Sequence, residues 1–392
     1  MRNVVIVGAK RTAVGDFLGS LSSISAVDLG TIAVKAALEQ SGVKPEQVED
    51  VVGGMVYKAG VKGNPARQVQ LNAGIPVTAG AVTVEQQCSS AMRAMEVACQ
   101  QIMLNKSDIS VAVGIESMSR VPYYMPDART GFRMGPSVVE DGLLLDALHD
   151  AFQGYHMGFT AENLAERYRI SREEQDELAY LSHTRAVNAI KEGKFKDEIV
   201  PVEVKSKKKS TIFDTDEHPR ADVTKEKLAA LGTPFKKDGT VTAGNASGIN
   251  DGAAAVVLMA EEKASELGIK PLARIIATAT YGVEPEIMGI GPAFVIPKVL
   301  KLAGLMAKDI DYYEINEAFA AQFLACNREL KLDMEKVNAN GSGIALGHPV
   351  GCTGLRIIVS LIYELKRRQG NFGIASLCVG GGPAMATVLQ NL

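Results

Sequence analysis

The sequence predicts an α/β protein built by duplication of one unit, with a long segment inserted into the first copy. Three observations carry that expectation. Gly42-Val43-Lys44-Pro45-Glu46-Gln47-Val48-Glu49-Asp50-Val51 closes a helix-like run and leads into a strand, and Gly304-Leu305-Met306-Ala307-Lys308-Asp309-Ile310-Asp311-Tyr312-Tyr313 repeats that pattern. A second echo, Ile109-Ser110-Val111-Ala112-Val113-Gly114 against Phe372-Gly373-Ile374-Ala375-Ser376-Leu377, falls at the same offset to within one residue. Between the copies, over residues 120–243, the pattern breaks.

Each copy then holds a strand-like run, a turn of small residues and an apolar helix. In the first, Val82-Thr83-Val84 leads through Cys88-Ser89-Ser90 into a helix over 91–104. In the second, Val337-Asn338-Ala339 leads through His348-Pro349 and Cys352 into a helix over 355–367. The reactive side chains thus sit at matching turns. A site between the copies would gather the N-termini of both helices, where unpaired N–H groups and the helix dipole favour negative charge. The insertion carries a polar helix over 171–192, opened by Ser171 as N-cap with Glu174 three residues on, a capping box. Its basic run, Lys205-Ser206-Lys207-Lys208-Lys209, reads as a solvated hairpin rather than a phosphate clamp. Ala253-Ala254-Ala255-Val256-Val257-Leu258 is a buried strand, and Pro271 opens the second copy. The expected division is residues 1–119 with 244–269 as one half, 120–243 as the inserted domain, and 270–392 as the other half.

Composition narrows the function. At 392 residues the chain exceeds one ordinary core, and its 46% hydrophobic and 22% charged content is that of a folded globular protein. Forty-two basic and forty-five acidic side chains leave a net charge of −3, no field for a polyanion, so nucleic acid is not an expected partner. No apolar stretch reaches the length of a membrane span. The run over 4–9 is followed by Lys10 and Arg11, the reverse of a secretory layout, and the last residues carry no lipidation signal. A cytoplasmic location is expected. Five cysteines with no CxxC pair argue against a disulfide scaffold and a zinc site. His149 and His156, two helical turns apart, have no third ligand spaced to join them, so no metal is expected. Gly341-Ser342-Gly343 with Gly347 has one residue too many for a dinucleotide fingerprint.

Chemistry concentrates in four places. Cys88 stands just ahead of a helix, where a thiol pKa can fall, whereas a free thiol near 8.5 is only a few per cent thiolate at neutral pH. His348, fixed in Gly347-His348-Pro349-Val350-Gly351, can take the cysteine proton. Asn316, in Asn316-Glu317-Ala318-Phe319, can hold a water or an oxyanion. Cys378 opens Cys378-Val379-Gly380-Gly381-Gly382. A lone cysteine is more often core than catalyst, and Cys99, Cys326 and Cys352 are read that way.

These four motifs, in this order over residues 88 to 382, resemble the signatures of the thiolase family. The resemblance implies a layered α/β/α/β/α fold with an inserted loop domain. It implies reversible Claisen condensation of two acetyl-CoA to acetoacetyl-CoA and CoA, by a ping-pong route through an acyl-cysteine. Cys88 would be the nucleophile, His348 its base, and Cys378 the base for the α-carbon of the second acetyl-CoA. One oxyanion hole would be a water held by Asn316 with His348, the other the backbone N–H groups of Cys88 and Gly380. Coenzyme A would be substrate and product, with no further cofactor. His156 and Met157 would lie over its pantetheine arm, Ser247 would hydrogen-bond it, and Phe235, Met288, Ala318 and Phe319 would line the tunnel. Arg220 would sit near the nucleotide end. The family implies a homo-oligomer, dimer or tetramer, with the loop over 120–133 as a candidate contact, and a place in fatty-acid metabolism. Where thiolases usually carry a glycine after Cys-x-Ser, this chain has Ala91. Cys352 and Pro383-Ala384 also depart from the pattern, which bears on the shape of the acyl pocket. The rival readings are a broader-range 3-ketoacyl-CoA thiolase, suggested by the run over 285–292, a decarboxylating condensing enzyme, opposed by cysteine rather than histidine at 378, and a non-catalytic CoA- or lipid-binding member.

Overall fold

A computed structural model describes residues 1–205 and 209–392. Among them, nine strands form one path: β1 (Val4–Thr12), β2 (Asp50–Gly54), β3 (Gly80–Val84), β4 (Ile109–Ser117), β5 (Asn250–Ala260), β6 (Ala273–Gly282), β7 (Tyr312–Ile315), β8 (Phe372–Cys378) and β9 (Pro383–Asn391). Their order is β7-β8-β9-β6-β1-β5-β4-β2-β3. The joint between the halves is narrow, with Val5 opposite Arg274 and Ile6 opposite Ala273. Outward from it, both sides repeat one scheme. β1 pairs antiparallel with β5 and β5 with β4, as β6 does with β9 and β9 with β8. Parallel pairs follow, β4 with β2 and β2 with β3 on one side, β8 with β7 on the other.

The last strand of the second half is reduced to a single parallel bridge between Tyr313 and Val337. The expected run Val337-Asn338-Ala339 does not extend because Asn338 turns to φ 48°. Its side chain takes the place of a strand neighbour: Oδ1 accepts from Ile315 N–H at 2.9 Å and Nδ2 donates to Ile315 C=O at 2.8 Å.

Eight helices matter for the layers: α1 (Ala26–Ser41), α2 (Pro65–Asn72), α3 (Ser90–Met103), α4 (Gly158–Tyr168), α5 (Arg172–Lys191), α6 (Gly291–Ala303), α7 (Ala320–Leu330) and α8 (Val350–Arg368). α1 and α2 cover the outer face of the first half, α6 and α7 that of the second, and α3 crosses α8 between them. β5 shows why. Every residue in it is buried, and its side chains alternate between two cores. Ala253, Ala255, Val257 and Met259 join the outer core, whereas Ala254, Val256, Leu258 and Ala260 join the central one with α3 and α8. Each fully buried Val, Leu or Met contributes about 1.5–3 kcal/mol.

α8 begins at Val350, five residues before the expected start at 355. Pro349 presets the entry, and Glu116 accepts the Gly351 N–H at 2.9 Å, so the glycines of this stretch are helical rather than a turn. They serve close packing: a Cβ on Gly354 would lie 2.6 Å from the Met92 backbone nitrogen of α3.

The insertion contributes α4 and α5, the Tyr123–Tyr124 and Glu140–Asp141 ribbon, and a hairpin of Val202–Lys205 with Ser210–Phe213. The expected capping box forms at Ser171 and Glu174. Residues 206–208 of the basic run lie outside the described residues. The insertion is locked to β1 where Ile199 and Val200 pair with Arg11 and Thr12, and where buried Arg11 meets Glu198 at 2.7 Å and Asp216 at 2.7 Å. Among the described residues, no helix is long and apolar enough to cross a membrane.

Candidate active site

The turn that presents Cys88 is built by its own small side chains. Gln87 takes φ 45°, and Ser90 Oγ donates to the Gln87 carbonyl at 2.7 Å while accepting from Gln86 N–H at 2.9 Å. This places Cys88 two residues ahead of α3, with Ser89 as the N-cap. The backbone N–H groups of Gly380 and of Cys88 itself act on its sulfur in favour of the thiolate. Burial nonetheless pushes the Cys88 thiol up to about 11, the two N–H groups opposing that rise. The resting nucleophile is therefore a thiol and requires a base.

His348 stands two residues ahead of α8, at the matching place in the second half. Its backbone N–H donates to Asn250 Oδ1 at 2.9 Å, and its Nδ1 lies 2.6 Å from Thr353 Oγ1. Its Nε2 is buried with no protein partner. Burial, with the Arg356 cation behind it, pulls the imidazole down to about 3, so the ring is neutral at pH 7. A neutral imidazole beside an un-ionised thiol is a general-base arrangement, not a preformed ion pair.

Cys378 is the last residue of β8 and is buried. Burial, then the neighbouring Cys88 charge, holds its thiol well above the usual range. Asn316 follows β7, and both Oδ1 and Nδ2 of its fully buried amide lack a protein partner. An unbonded buried amide costs about 1–3 kcal/mol per group unless water or a ligand bonds it. The next residue, Glu317, is by contrast satisfied by Ser182 at 2.6 Å and Asn338 at 2.9 Å.

One cavity of about 440 Å³ opens onto these groups. Cys88, His348, Cys378 and Gly380 line it together with His156, Met157, Arg220, Phe235, Ser247, Met288, Ala318 and Phe319. Asn316 is the one expected site residue that does not line it, lying instead against Gly343, where a Cβ would meet its Oδ1 at 2.6 Å. The walls are aromatic: His156 stacks on Phe235 with centroids 4.6 Å apart, and Phe235 meets Phe319 edge-on at 6.3 Å. Burial lowers His156 to about 4, and its Nδ1 accepts the Gly158 N–H at 3.0 Å, so this ring is neutral and fixed. Ser247 N–H donates to the Ala318 carbonyl at 2.9 Å, joining the two segments that form one wall. Arg220 lies exposed near the mouth, its backbone N–H donating to His183 Nδ1 at 3.2 Å.

His149 and His156, two helical turns apart in sequence, lie on no common helix and meet across an antiparallel bridge, ring centroids 6.1 Å apart, because 149–157 is a turn leading into α4. Ala91, Cys352, Pro383 and Ala384, expected to bear on the acyl pocket, do not line the cavity. Ala91 and Cys352 face the close crossing of α3 and α8, where a Cβ on Gly114 would meet both, and Ala384 packs against Gly291. Sequence reasoning did not single out Asp16, Phe17 and His218 at the cavity rim, nor Asn250, Thr353 and Glu116 behind it. All but Thr353, which follows the turn over 347–351 by two residues, lie far from the motifs in sequence, and Glu116 and Asn250, polar residues at the ends of apolar strands, left a trace there.

Comparison with known proteins agrees over the whole chain. The family model described as "Thiolase, N-terminal domain" matches residues 4–262, and "Thiolase, C-terminal domain" matches 269–391. A protein named acetyl-CoA acetyltransferase from Chromobacterium violaceum is 51% identical over 388 residues, covering 99% of both chains. The solved structure of acetyl-CoA acetyltransferase from Syntrophomonas wolfei superposes with a TM-score of 0.98 at 51% identity, covering 100% of each chain. Human mitochondrial 3-ketoacyl-CoA thiolase superposes with a TM-score of 0.96 at 43% identity, covering 100% of this chain and 99% of the other.

Proposed function

The chain belongs to the thiolase family, and we propose that its cavity carries out acetyl transfer between two molecules of acetyl-CoA, giving acetoacetyl-CoA and CoA, and the reverse. It is an acyltransferase of the acetyl-CoA acetyltransferase kind. The observation that carries the mechanism is the convergence of Cys88, His348, Cys378 and the Gly380 N–H on one cavity.

His348 Nε2 takes the Cys88 proton as the sulfur attacks the thioester carbonyl. The oxyanion is stabilised by hydrogen-bond donors fixed before the reaction, which avoids reorganisation at the transition state. As CoA leaves, its thiolate takes the proton of Cys378, so CoA departs as the thiol and Cys378 is left as the thiolate. The Cys378 thiolate then removes an α-proton from the second acetyl-CoA. The resulting carbanion attacks the acetyl-Cys88 carbonyl, the sulfur departs, and His348 returns its proton to Cys88. Protons and electron pairs balance without a cofactor. The backbone N–H groups of Cys88 and Gly380 form one oxyanion hole, and Asn316, outside the cavity lining but with both amide ends lacking a protein partner, would hold the water that completes the other with His348.

His156, Met157, Phe235, Met288 and Phe319 would press on the pantetheine arm and the acyl end, Ser247 would bond the arm, and Arg220 would face the nucleotide. Buried Met157 and Met288 support a short acyl chain. We place the enzyme in the cytoplasm, in fatty-acid metabolism, as a homo-oligomer, a dimer or a tetramer. Support for the last is the exposed apolar ribbon with Tyr123, Met125, Phe132 and Met134. The test of substrate range is thiolysis of acetoacetyl-CoA beside a long-chain 3-ketoacyl-CoA, in wild type and Met288→Ala. Preference for acetoacetyl-CoA, relaxed by the substitution, is expected. Equal turnover of both by the wild type would favour the broader-range reading.

A further inference from the structure

We propose that Thr353 is the positioning residue for His348: its hydroxyl accepts the Nδ1 hydrogen of the imidazole and thereby holds Nε2 open as the proton acceptor for Cys88. This deepens the reading of His348 as base and rests on it. Thr353 is fully buried in the first turn of α8, and its Oγ1 stands 2.6 Å from His348 Nδ1. The same hydroxyl lies 2.9 Å from the Pro349 carbonyl, to which it donates. A threonine hydroxyl has one hydrogen and two lone pairs. With the hydrogen on Pro349, only lone pairs face the ring, so Nδ1 carries the ring hydrogen.

The opposite arrangement would have the hydroxyl donate to Nδ1. Nε2 would then carry the hydrogen and could not take a proton from Cys88. It also fails after proton transfer, because both nitrogens of an imidazolium are donors and Nδ1 then needs an acceptor. Thr353 is already placed to accept in both states. Asn250 holds the backbone of the same residue by its N–H, so His348 is fixed once at its backbone and once at its ring.

The orienting group is also neutral. A carboxylate in that place would stabilise the imidazolium and hold the proton there, whereas a hydroxyl orients the ring without adding charge. The charge that acts on His348 is the Arg356 cation, which opposes a positive ring. That suits a base which must return its proton to Cys88 within each turnover.

The test compares full-length wild type, Thr353→Val and Thr353→Ser. Two readouts are used, alkylation of Cys88 by iodoacetamide, followed on its peptide, and acetoacetyl-CoA thiolysis. The valine variant, similar in shape but without an acceptor, should slow alkylation and kcat by about tenfold to a hundredfold, short of the 10²–10⁴ that general-base catalysis as a whole supplies because the base itself remains, with KM little changed. Serine should restore both. If the valine variant does not fold, nitrogen-15 NMR of histidine-labelled wild type decides, the His348 signals being assigned by their loss in His348→Asn. A resting ring protonated at Nδ1 supports the proposal. A ring protonated at Nε2, or a folded valine variant alkylated and turning over as wild type, overturns it. Alkylation that depends on Thr353 in a wild type with no thiolysis would leave the positioning role standing and remove the acetyl-transfer reading instead.

Discussion

The backbone N–H of Gly380, in the glycine-rich turn after β8, acts on the sulfur of Cys88, in the turn before α3, across the boundary between the two halves, and both residues line the same cavity. A donor that favours charge on the nucleophile's sulfur stands next to the place where the thioester oxygen becomes negative. A Cβ on residue 380 would meet Met157 Cε at 2.9 Å, the mobile end of a flexible side chain. Gly380→Ala should therefore fold normally but displace the donor. We expect kcat to fall by about tenfold to a hundredfold, less than the 10²–10³ of outright donor loss, with Tm little changed. Unaltered kcat would remove Gly380 from the oxyanion hole.

Asn316 pays for its buried amide only if something polar bonds it during turnover. Asn316→Ala should lower kcat by about 10²–10³ while leaving the urea midpoint equal to wild type or higher, since an unsatisfied group is removed. Loss of stability without loss of kcat would mark the residue as structural.

Cys88 is held up to about 11, so the thiolate fraction in the resting enzyme falls tenfold for each pH unit below that value. Alkylation should keep rising through the alkaline range, with no plateau at the pH where a free thiol levels off. A plateau near pH 7 would show a preformed thiolate instead.

His348 and His183 are lowered to about 3 and His156 to about 4, all by burial. The unfolded chain takes up these protons below about pH 6.5, and the native state does not. Their contribution to stability is thus complete above pH 6.5 and is lost as pH falls toward 3. His183→Gln, whose amide oxygen can still accept the Arg220 N–H, should lose less Tm between pH 7 and pH 5 than wild type does. Equal losses would mean that His183 does not contribute to the acid limb.

Arg11 is buried between Glu198 and Asp216, and its guanidinium forms a forked pair with Asp216 at 2.7 and 2.9 Å. Arg11→Met leaves two buried carboxylates uncompensated and should cost about 3–5 kcal/mol by urea denaturation. A loss under about 1 kcal/mol would mean that the insertion is held to β1 by apolar contacts instead.

Much of this was legible in the sequence because the duplicated unit repeats its local signals. Gly42 and Gly304 both end helices in the left-handed region, at φ 71° and 69°, and each is followed by a strand of the same rank in its half. The cysteines, His348 and Asn316 stood out because each sits in a turn of small or polar residues. What stayed hidden was non-local. Asn250 reaches His348 across about a hundred residues of chain, and Glu116 reaches Gly351 across more than two hundred. The start of α8 was misplaced because the glycines that allow helices to cross look in sequence like those of a turn. Ala91 and Cys352 were assigned to the acyl pocket for the same reason: proximity to a motif does not say which way a side chain faces.

The central claim is that Cys88 carries the acyl group. Its most direct test is thiolysis of acetoacetyl-CoA by free CoA, followed under reducing conditions for wild type and Cys88→Ser side by side. Turnover by the wild type, with an acetylated Cys88 peptide trapped in the absence of acceptor and both lost in the serine variant, is the predicted result. Wild-type turnover that persists in Cys88→Ser, or an acetyl group found on another residue, would contradict it.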